Sequence, residues 1–274
     1  MVVLSLTDRH DKIINFYENE YNEDERMLRQ PLEFARCKDI IARYLTQSKM
    51  EIADIGGATG MFSYWLAQNG HNAHLLDYTP SHIEKAKEKA RTLNITLKSY
   101  TCGDARQVPY QNNQFDLVLE MGPLYHLQKR EDRMRCLVEA ERILKNDGLI
   151  ICEVISRYAN IFEGFQWNLI DDERFLEILD ENLSTGLHSP GNTSYFTTAY
   201  FHTHNEIKQE LEEAGFIDVS ILPVEGFGSI LKVKEYFENE QRTKLLLKYI
   251  KKTENIPELL GVSNHLMAIG KKQT

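Results

Sequence analysis

The stretch that most restricts this chain is Ala53-Asp54-Ile55-Gly56-Gly57-Ala58-Thr59-Gly60. It closes a short apolar run, Met50 to Ile55, and opens a helix-like segment, Met61 to Asn69, that Gly70 stops. A strand that turns through glycines into a helix is the first half of a βαβ unit. In open sheets built from such units, ligands sit outside the carboxyl ends of the strands, where the topology changes direction. Glycine there lets the main chain come close to a ligand and adopts positive φ at little cost. One such turn is weak on its own, so the rest of the chain has to supply the sheet.

Asn72 to Leu76 reads as the next strand, and Thr79-Pro80 as the N-cap and first position of a helix reaching about Leu93. Ile95 to Thr101 and Phe115 to Glu120 are two more strands. A helix from about Arg130 to Leu144 ends at the turn Asn146-Asp147-Gly148, and Leu149 to Ile155 is a nearly continuous apolar strand. Strands this apolar, alternating with helices, predict an α/β fold: a doubly wound, mostly parallel sheet covered on both faces.

The same reading divides the chain. Ile13 to Leu45 is helical in pattern and restarts at Pro31, which makes residues 1–47 an N-terminal helical cover; residues 48–156 form the α/β core. Residues 157–203 have weak periodicity and many aromatics and read as a lid insertion. Residues 204–274 complete the core: a helix from His204 to Ala214 behind the capping box of Thr203 and Glu206, a strand from Phe216 to Leu222, and a last strand from His265 to Ile269. A second insertion, about 225–262, carries an amphipathic helix from Lys232 to Ile250.

Composition narrows the function. With 274 residues, 42% hydrophobic and 27% charged, the chain fits one large domain and lies outside the disordered, collagenous and disulfide-framework classes. The net charge of −9 argues against a nucleic-acid partner, which calls for a basic surface. Cys37, Cys102, Cys136 and Cys152 form no zinc-ligand spacing, and the alternate pair His202 and His204 is explained by the Thr203 cap, so no metal is expected. The opening MVVLSLTDRHDK meets charge before a signal-peptide core can form, and no run approaches the ~20 apolar residues of a membrane span. A cytoplasmic protein with no membrane partner is expected; oligomeric state is not readable.

The candidate site follows from the strand ends. Asp77 ends the second strand at the spacing where an acidic residue receives a ribose diol, and Cys102-Gly103-Asp104-Ala105 ends the third, offering a carboxylate and amides to an adenine edge. Both aspartates also suit helix caps. Gly56, Gly57 and Gly60 do not reproduce a dinucleotide fingerprint, there is no P-loop lysine, and Asp54 would repel a pyrophosphate while suiting a cation. A nucleoside without phosphates that carries a positive group fits, and S-adenosyl-L-methionine is such a ligand.

On these residues the sequence resembles the class I S-adenosylmethionine-dependent methyltransferases, in the small-molecule and quinone-type branch. The likeness is close over 48–156 and looser over 204–222 and 263–270. The family signature, acidic-x-Gly-x-Gly-x-Gly, falls on Asp54, Gly56, Ala58 and Gly60, with Ala58 in place of the middle glycine. The resemblance implies a seven-stranded Rossmann-like sheet. It places Asp77, followed by Tyr78, at the ribose, Asp104 at the adenine amino group, and the Ala105 amide at a ring nitrogen. Glu120-Met121-Gly122-Pro123-Leu124-Tyr125-His126 matches the loop beneath the methionine moiety that faces the acceptor, and Asn146-Asp147-Gly148 stands where the family has Pro-Gly-Gly.

His126, beside Tyr125, is the residue of that loop able to act as a base near neutral pH, the alternative being a hydrogen-bonded structural histidine. Glu120 is a second candidate base, better placed for the cofactor's amino group. Tyr17 and Tyr21 would close over the cofactor or pack their helix on the sheet. The lid aromatics, Tyr158, Phe162, Phe165 and Trp167 among them, line an acceptor pocket or build a small core. The expected function is transfer of a methyl group to a small-molecule acceptor by in-line displacement. The alternatives are an RNA or protein acceptor, a non-catalytic S-adenosylmethionine sensor and, more distantly, a nicotinamide-dependent oxidoreductase.

Overall fold

The computed structural model describes residues 30–191 and 195–274. The order of elements is α1 (Pro31–Ala42), β1 (Glu51–Ile55), α2 (Met61–Gln68), β2 (Asn72–Asp77), α3 (Pro80–Leu93), β3 (Ser99–Cys102), β4 (Phe115–Glu120), α4 (Pro123–His126), α5 (Arg130–Ile143) and β5 (Leu144–Ile155). The segment after β5 holds α6 (Ala159–Gln166), α7 (Glu173–Thr185) and a two-stranded ribbon, β6 (Leu187–His188) with β7 (Ala199–Tyr200). The chain then continues through α8 (His204–Glu213), β8 (Phe216–Pro223), α9 (Val233–Phe237), α10 (Glu240–Thr253) and β9 (His265–Lys272).

Seven strands form one sheet in the order β3-β2-β1-β4-β5-β9-β8. The first five run parallel, and β9 lies antiparallel between β5 and β8. The order reverses between β1 and β4, so the crevice expected at a topological switch opens beyond Ile55 and Glu120. Alternate residues of each strand face opposite layers. Ile52, Leu75, Leu117 and Leu119 pack with Cys37, Ile40, Phe62 and Ile83 from α1, α2 and α3. Ala53, Leu76, Val118 and Cys152 pack with Leu124, Cys136, Leu137, Ile207 and Leu211 from α4, α5 and α8. Burial on both faces is why these strands read as continuous apolar runs.

Most expected boundaries hold to within three residues, and three elements differ more, for identifiable reasons. β3 begins at Ser99 rather than Ile95, because Asn94 takes φ 53 at the end of α3 and the chain needs several residues to reach the sheet. β5 begins at Leu144 rather than Leu149. The Asn146-Asp147-Gly148 turn lies inside the strand as an irregularity, with Asp147 at φ 62 and a register shift opposite Phe115 to Leu117. The expected helix from Lys232 to Ile250 is two helices, since the Asn239 side chain accepts the Arg242 N–H and caps a fresh start. The Thr203–Glu206 capping box is present as expected. Tyr17, Tyr21 and the first part of the expected N-terminal helix lie outside the described residues.

Residues 157–203 are more regular than their sequence suggests. The chain leaves the sheet at Ile155 and returns beside it, Ser156 bridging in parallel to His202. Arg157, 7% exposed, donates to the Phe201 carbonyl and to both Glu206 oxygens (2.7 and 2.8 Å). Arg133 of α5 stacks on Tyr200 and pairs with Glu210, which also meets His202. Buried bidentate arginines of this kind hold geometry more than they add net stability, and they fix where the segment sits over the carboxyl edge of the sheet.

Candidate active site

The crevice at the switch point contains a cavity of about 150 Å³ that opens to solvent. The β1–α2 turn forms its floor. Gly56 sits at φ +72, and a Cβ there would lie 2.6 Å from the Pro123 ring at the start of α4. A Cβ on Gly57 would lie 2.5 Å from Asp54 Oδ2 and 2.6 Å from Leu75. Gly60, at φ +83, starts α2. The glycines are thus required by the close approach of β1, β4 and Asp54 as well as by any ligand. Ala58 adopts φ 47, a left-handed conformation carried without the help of glycine.

Asp77 couples this turn to the wall. Its Oδ2 accepts the Ala58 N–H (2.8 Å), and its Oδ1 accepts the Thr79 N–H (2.8 Å) and meets His82 Nδ1 (3.1 Å). It lines the cavity with Tyr78, as the strand-end position implied, and one carboxylate serves both cap and wall. Asp104 and Ala105 form the adjacent wall. The Asp104 carboxylate is gripped by Arg106, with Nη2 to Oδ2 at 2.6 Å, and Arg106 also reaches Asp132 at 3.2 Å. Met121, Tyr125 and His126 line the opposite side. The Tyr125 and His126 rings lie 4.6 Å apart, and Phe196 adjoins His126 at 6.0 Å. Burial pushes His126 down to about 4, against opposing effects of Asp77 and the Thr198 carbonyl, so it is neutral throughout the physiological range.

Three expected cofactor contacts, Glu120, Asp54 and Gly60, do not line the cavity. Glu120 is fully buried and its side chain is not on the cavity wall. Strand alternation sends Leu119 and Met121 to the site's layer and Glu120 to the opposite one, where it accepts from Cys136 Sγ (3.1 Å). Its side chain therefore faces away from the cavity. Burial lifts Glu120 to about 7. Asp54 lies behind the turn, also fully buried and off the wall, with Oδ2 accepting from Ser63 (2.6 Å) and burial raising it to about 6. Its Oδ1 has no hydrogen-bond partner among the described residues.

Three titratable wall residues escaped the sequence reading. His82 stands in the first turn of α3 and Arg106 two residues after Asp104; each is a short-range partner of an aspartate already singled out. Glu153 is the third: a carboxylate within the apolar run of β5, it was the most visible missed signal. It lines the cavity and accepts from Cys37 Sγ (3.2 Å). Behind it lie Glu33, Glu225 and His265, with His265 Nδ1 2.6 Å from Glu225 Oε1. Although burial opposes its charge, Glu225 and Glu33 hold His265 up to about 10. Glu33, Glu153 and His265 offer atoms within 4.8 Å of one another, as a metal would need. The imidazolium, however, is already the cation of that group.

The donor set fits S-adenosylmethionine. A carboxylate at the end of β2 faces the cavity, apolar walls from Met61, Phe62, Leu76 and Met121 suit an adenosyl thioether, and the buried, half-satisfied Asp54 beneath the turn favours positive charge above it.

Comparison with known proteins agrees. A family profile described as "Methyltransferase domain" matches residues 53–152. A rice (Oryza sativa subsp. japonica) 2-methyl-6-phytyl-1,4-hydroquinone methyltransferase 2 is 30% identical over 107 residues, covering 38% of this chain and 29% of that one. The demethylmenaquinone methyltransferase of Geobacillus stearothermophilus is 23% identical over 222 residues, 78% of this chain and 92% of its own. Among the first relatives the match thus spans under a third of the rice protein's length. In three dimensions, a S-adenosylmethionine-dependent methyltransferase from Methanosarcina mazei superposes with a TM-score of 0.58 at 18% identity, over 85% of this chain and 97% of that one. The switch-point turn, the strand-end aspartate and these likenesses agree: residues 53–152 match the methyltransferase-domain family, and the chain is similar in sequence and fold to S-adenosylmethionine-dependent methyltransferases.

Proposed function

We propose that the protein transfers the methyl group of S-adenosylmethionine to a small-molecule acceptor. What carries this reading is the single cavity running from Asp77 and Asp104, past the β1–α2 turn, to Tyr125, His126 and Glu153. Asp77 would hold the ribose hydroxyls, Asp104 and the Ala105 amide the adenine edge, and the turn's main chain the methionine end. When bound, the cofactor supplies an electrophilic methyl on a sulfonium. The protein's own part is to align an acceptor with that methyl and exclude water, and positioning supplies most of the acceleration in such a displacement. Residues 157–203 would act as the acceptor lid, since Phe196 and the Thr198 carbonyl reach His126.

His126, neutral at pH 7, would orient the acceptor by hydrogen bonding and take a proton as the acceptor becomes acidic on alkylation. Glu153 gives that end of the cavity a carboxylate wall, which suits an amine- or hydroxyl-bearing acceptor better than an anionic one. Relatives named as hydroquinone, demethylmenaquinone and glycine/sarcosine methyltransferases support a small-molecule acceptor.

Calorimetry with S-adenosylmethionine and S-adenosylhomocysteine against NAD tests the cofactor. Binding of NAD with neither adenosyl compound binding would overturn the proposal. Turnover across amine, hydroxyl, thiol and quinol acceptors, followed by demethylated product, tests the acceptor class. A second reading, an RNA acceptor, draws on a groove beside the cavity lined by Lys38, Lys85 and Lys89 with Phe34 and Trp65. There Lys89 is bonded to Thr59 Oγ1 and Lys38 lies over both rings, which leaves few cations for a run of phosphates. Salt-sensitive RNA binding together with RNA methylation would establish it.

A further inference from the structure

The insertion between β8 and β9 lines none of the cavity, yet its long helix concentrates positive charge on an acidic chain. In a protein of net charge −9, α10 (Glu240–Thr253) carries Arg242, Lys244, Lys248, Lys251 and Lys252 against the single acid Glu240. Lys244 pairs with Glu240 and Lys251 with Asp39, whereas Arg242, Lys248 and Lys252 form no ion pair among the described residues. The buried stripe of α10 is Leu246 and Ile250. One residue round the helix from it, Leu245 (46% exposed) and Tyr249 (51% exposed) face outward, and the Lys248 and Lys252 ammonium groups each stand 5.9 Å from the Tyr249 ring. The outer face is therefore an apolar pair set among unpaired cations.

This face has apolar neighbours. α10 and α6 both pack on the 3-10 turn Gly226–Ile230, and each of the three exposes large apolar groups: Ile230 on the turn, Phe165 and Trp167 (68% exposed) at the end of α6. The segments that carry all three leave the sheet at its carboxyl edge, since Pro223 pairs with Leu266 and His265 with Ile155 at those strand ends.

We propose that the outer face of α10, with Phe165 and Trp167 of the neighbouring segment, is a docking surface for an anionic phospholipid membrane. Charge complementarity selects this partner. A basic amphipathic helix on an acidic protein is drawn to a negative interface, lysine stems reach past apolar groups to the headgroups, and tyrosine and tryptophan settle at that depth. No described helix is long and apolar enough to cross a bilayer, so the association would be peripheral and reversible.

The test is sedimentation of the full chain with vesicles of phosphatidylcholine alone or with phosphatidylglycerol added. We expect binding only to the anionic vesicles and its loss as salt rises. Lys248→Gln with Lys252→Gln should lower partitioning by about 25-fold, roughly fivefold per charge near an anionic surface. Trp167 fluorescence should shift to the blue on binding, with Trp167→Phe as the control that separates it from Trp65. Binding to neutral vesicles as strong as to anionic ones, no binding at low salt, or a folded double variant that binds like the parent would overturn the proposal. So would self-association abolished by Leu245→Ser, which would assign the face to a second copy of the chain. Vesicle binding needs no turnover, so this test stands or falls separately from the methyltransferase reading.

Discussion

The β1–α2 turn makes two neighbouring residues respond in opposite directions to the exchange of alanine and glycine. Ala58 is held at φ 47, where an L-residue gives up roughly 1–2 kcal/mol that glycine does not. Ala58→Gly relieves this but frees the unfolded chain, at a cost of about 0.4–1 kcal/mol. The difference is a net gain of roughly 0–1.6 kcal/mol, or up to about 6 °C in midpoint for a chain of this size. At Gly57 the sign reverses. Its Cβ would stand 2.5 Å from an Asp54 oxygen that Ser63 fixes and 2.6 Å from Leu75, all within the buried core. Nothing there is the loose end of a flexible side chain, so Gly57→Ala should cost at least about 2 kcal/mol. Urea unfolding of the ligand-free protein measures both, with m-values compared to confirm the same unfolded state. A loss of more than 1 kcal/mol in Ala58→Gly, or an unchanged Gly57→Ala, would show that the turn is not held in the conformation described. The Ala58 N–H should keep its bond to Asp77 in the stabilised variant, so its cofactor affinity should be unchanged.

Three further outcomes follow from the same geometry. Glu120, raised to about 7, binds its proton more tightly folded than unfolded, so its stability contribution is full below about pH 4.5 and is lost as pH rises through 7. Glu120→Gln should abolish a fall of up to roughly 3 kcal/mol between pH 5 and 8, measured by urea titration at each pH; equal slopes in the two proteins would refute the assignment. His265→Gln removes the imidazolium that faces Glu33, Glu153 and Glu225 and should destabilise by about 3 kcal/mol at pH 7, with the deficit shrinking in acid as those carboxylates are protonated. Asp77→Ala should weaken S-adenosylmethionine binding by about 10-fold to 100-fold in calorimetry, and unchanged affinity in a folded variant would show that the ribose lies elsewhere.

The sheet was readable because burial on both faces leaves strands such as β4 and β5 almost without polar residues, and because Pro31, Pro80 and Thr203 mark helix starts that tertiary contacts did not override. What could not be read was side-chain direction at strand ends. Glu120 and Glu153 both sit near the carboxyl ends of central strands, and sequence position alone favoured Glu120. The pleat decides between them: Glu120 is in phase with Val118, facing α5, whereas Glu153 is in phase with Ile151, facing α1 and the cavity. Counting that phase from the apolar neighbours would have exchanged the two residues. The segment 157–203 hid its order for another reason. Its position is set by Arg157, Arg133, Glu206 and Glu210, pairs between elements tens of residues apart that leave no periodic trace.

The two buried carboxylates on opposite faces also differ in what they can do. Glu120 has a thiol donor, an oxygen with no partner among the described residues and no cation beside it, so the proton that burial forces upon it is its main compensation. Glu153 has His265 and its acidic neighbours behind it and the cavity in front, so any charge it keeps is felt by whatever enters. A neutral acceptor that donates a hydrogen bond gains from that wall, and one that becomes cationic as it accepts a methyl group gains more as the charge develops. Stabilisation that grows toward the transition state appears in turnover and not only in affinity. If the acceptor is an amine, Glu153→Gln should therefore lower kcat as well as raise KM; for a hydroxyl acceptor, which ends neutral, the change should fall chiefly on KM.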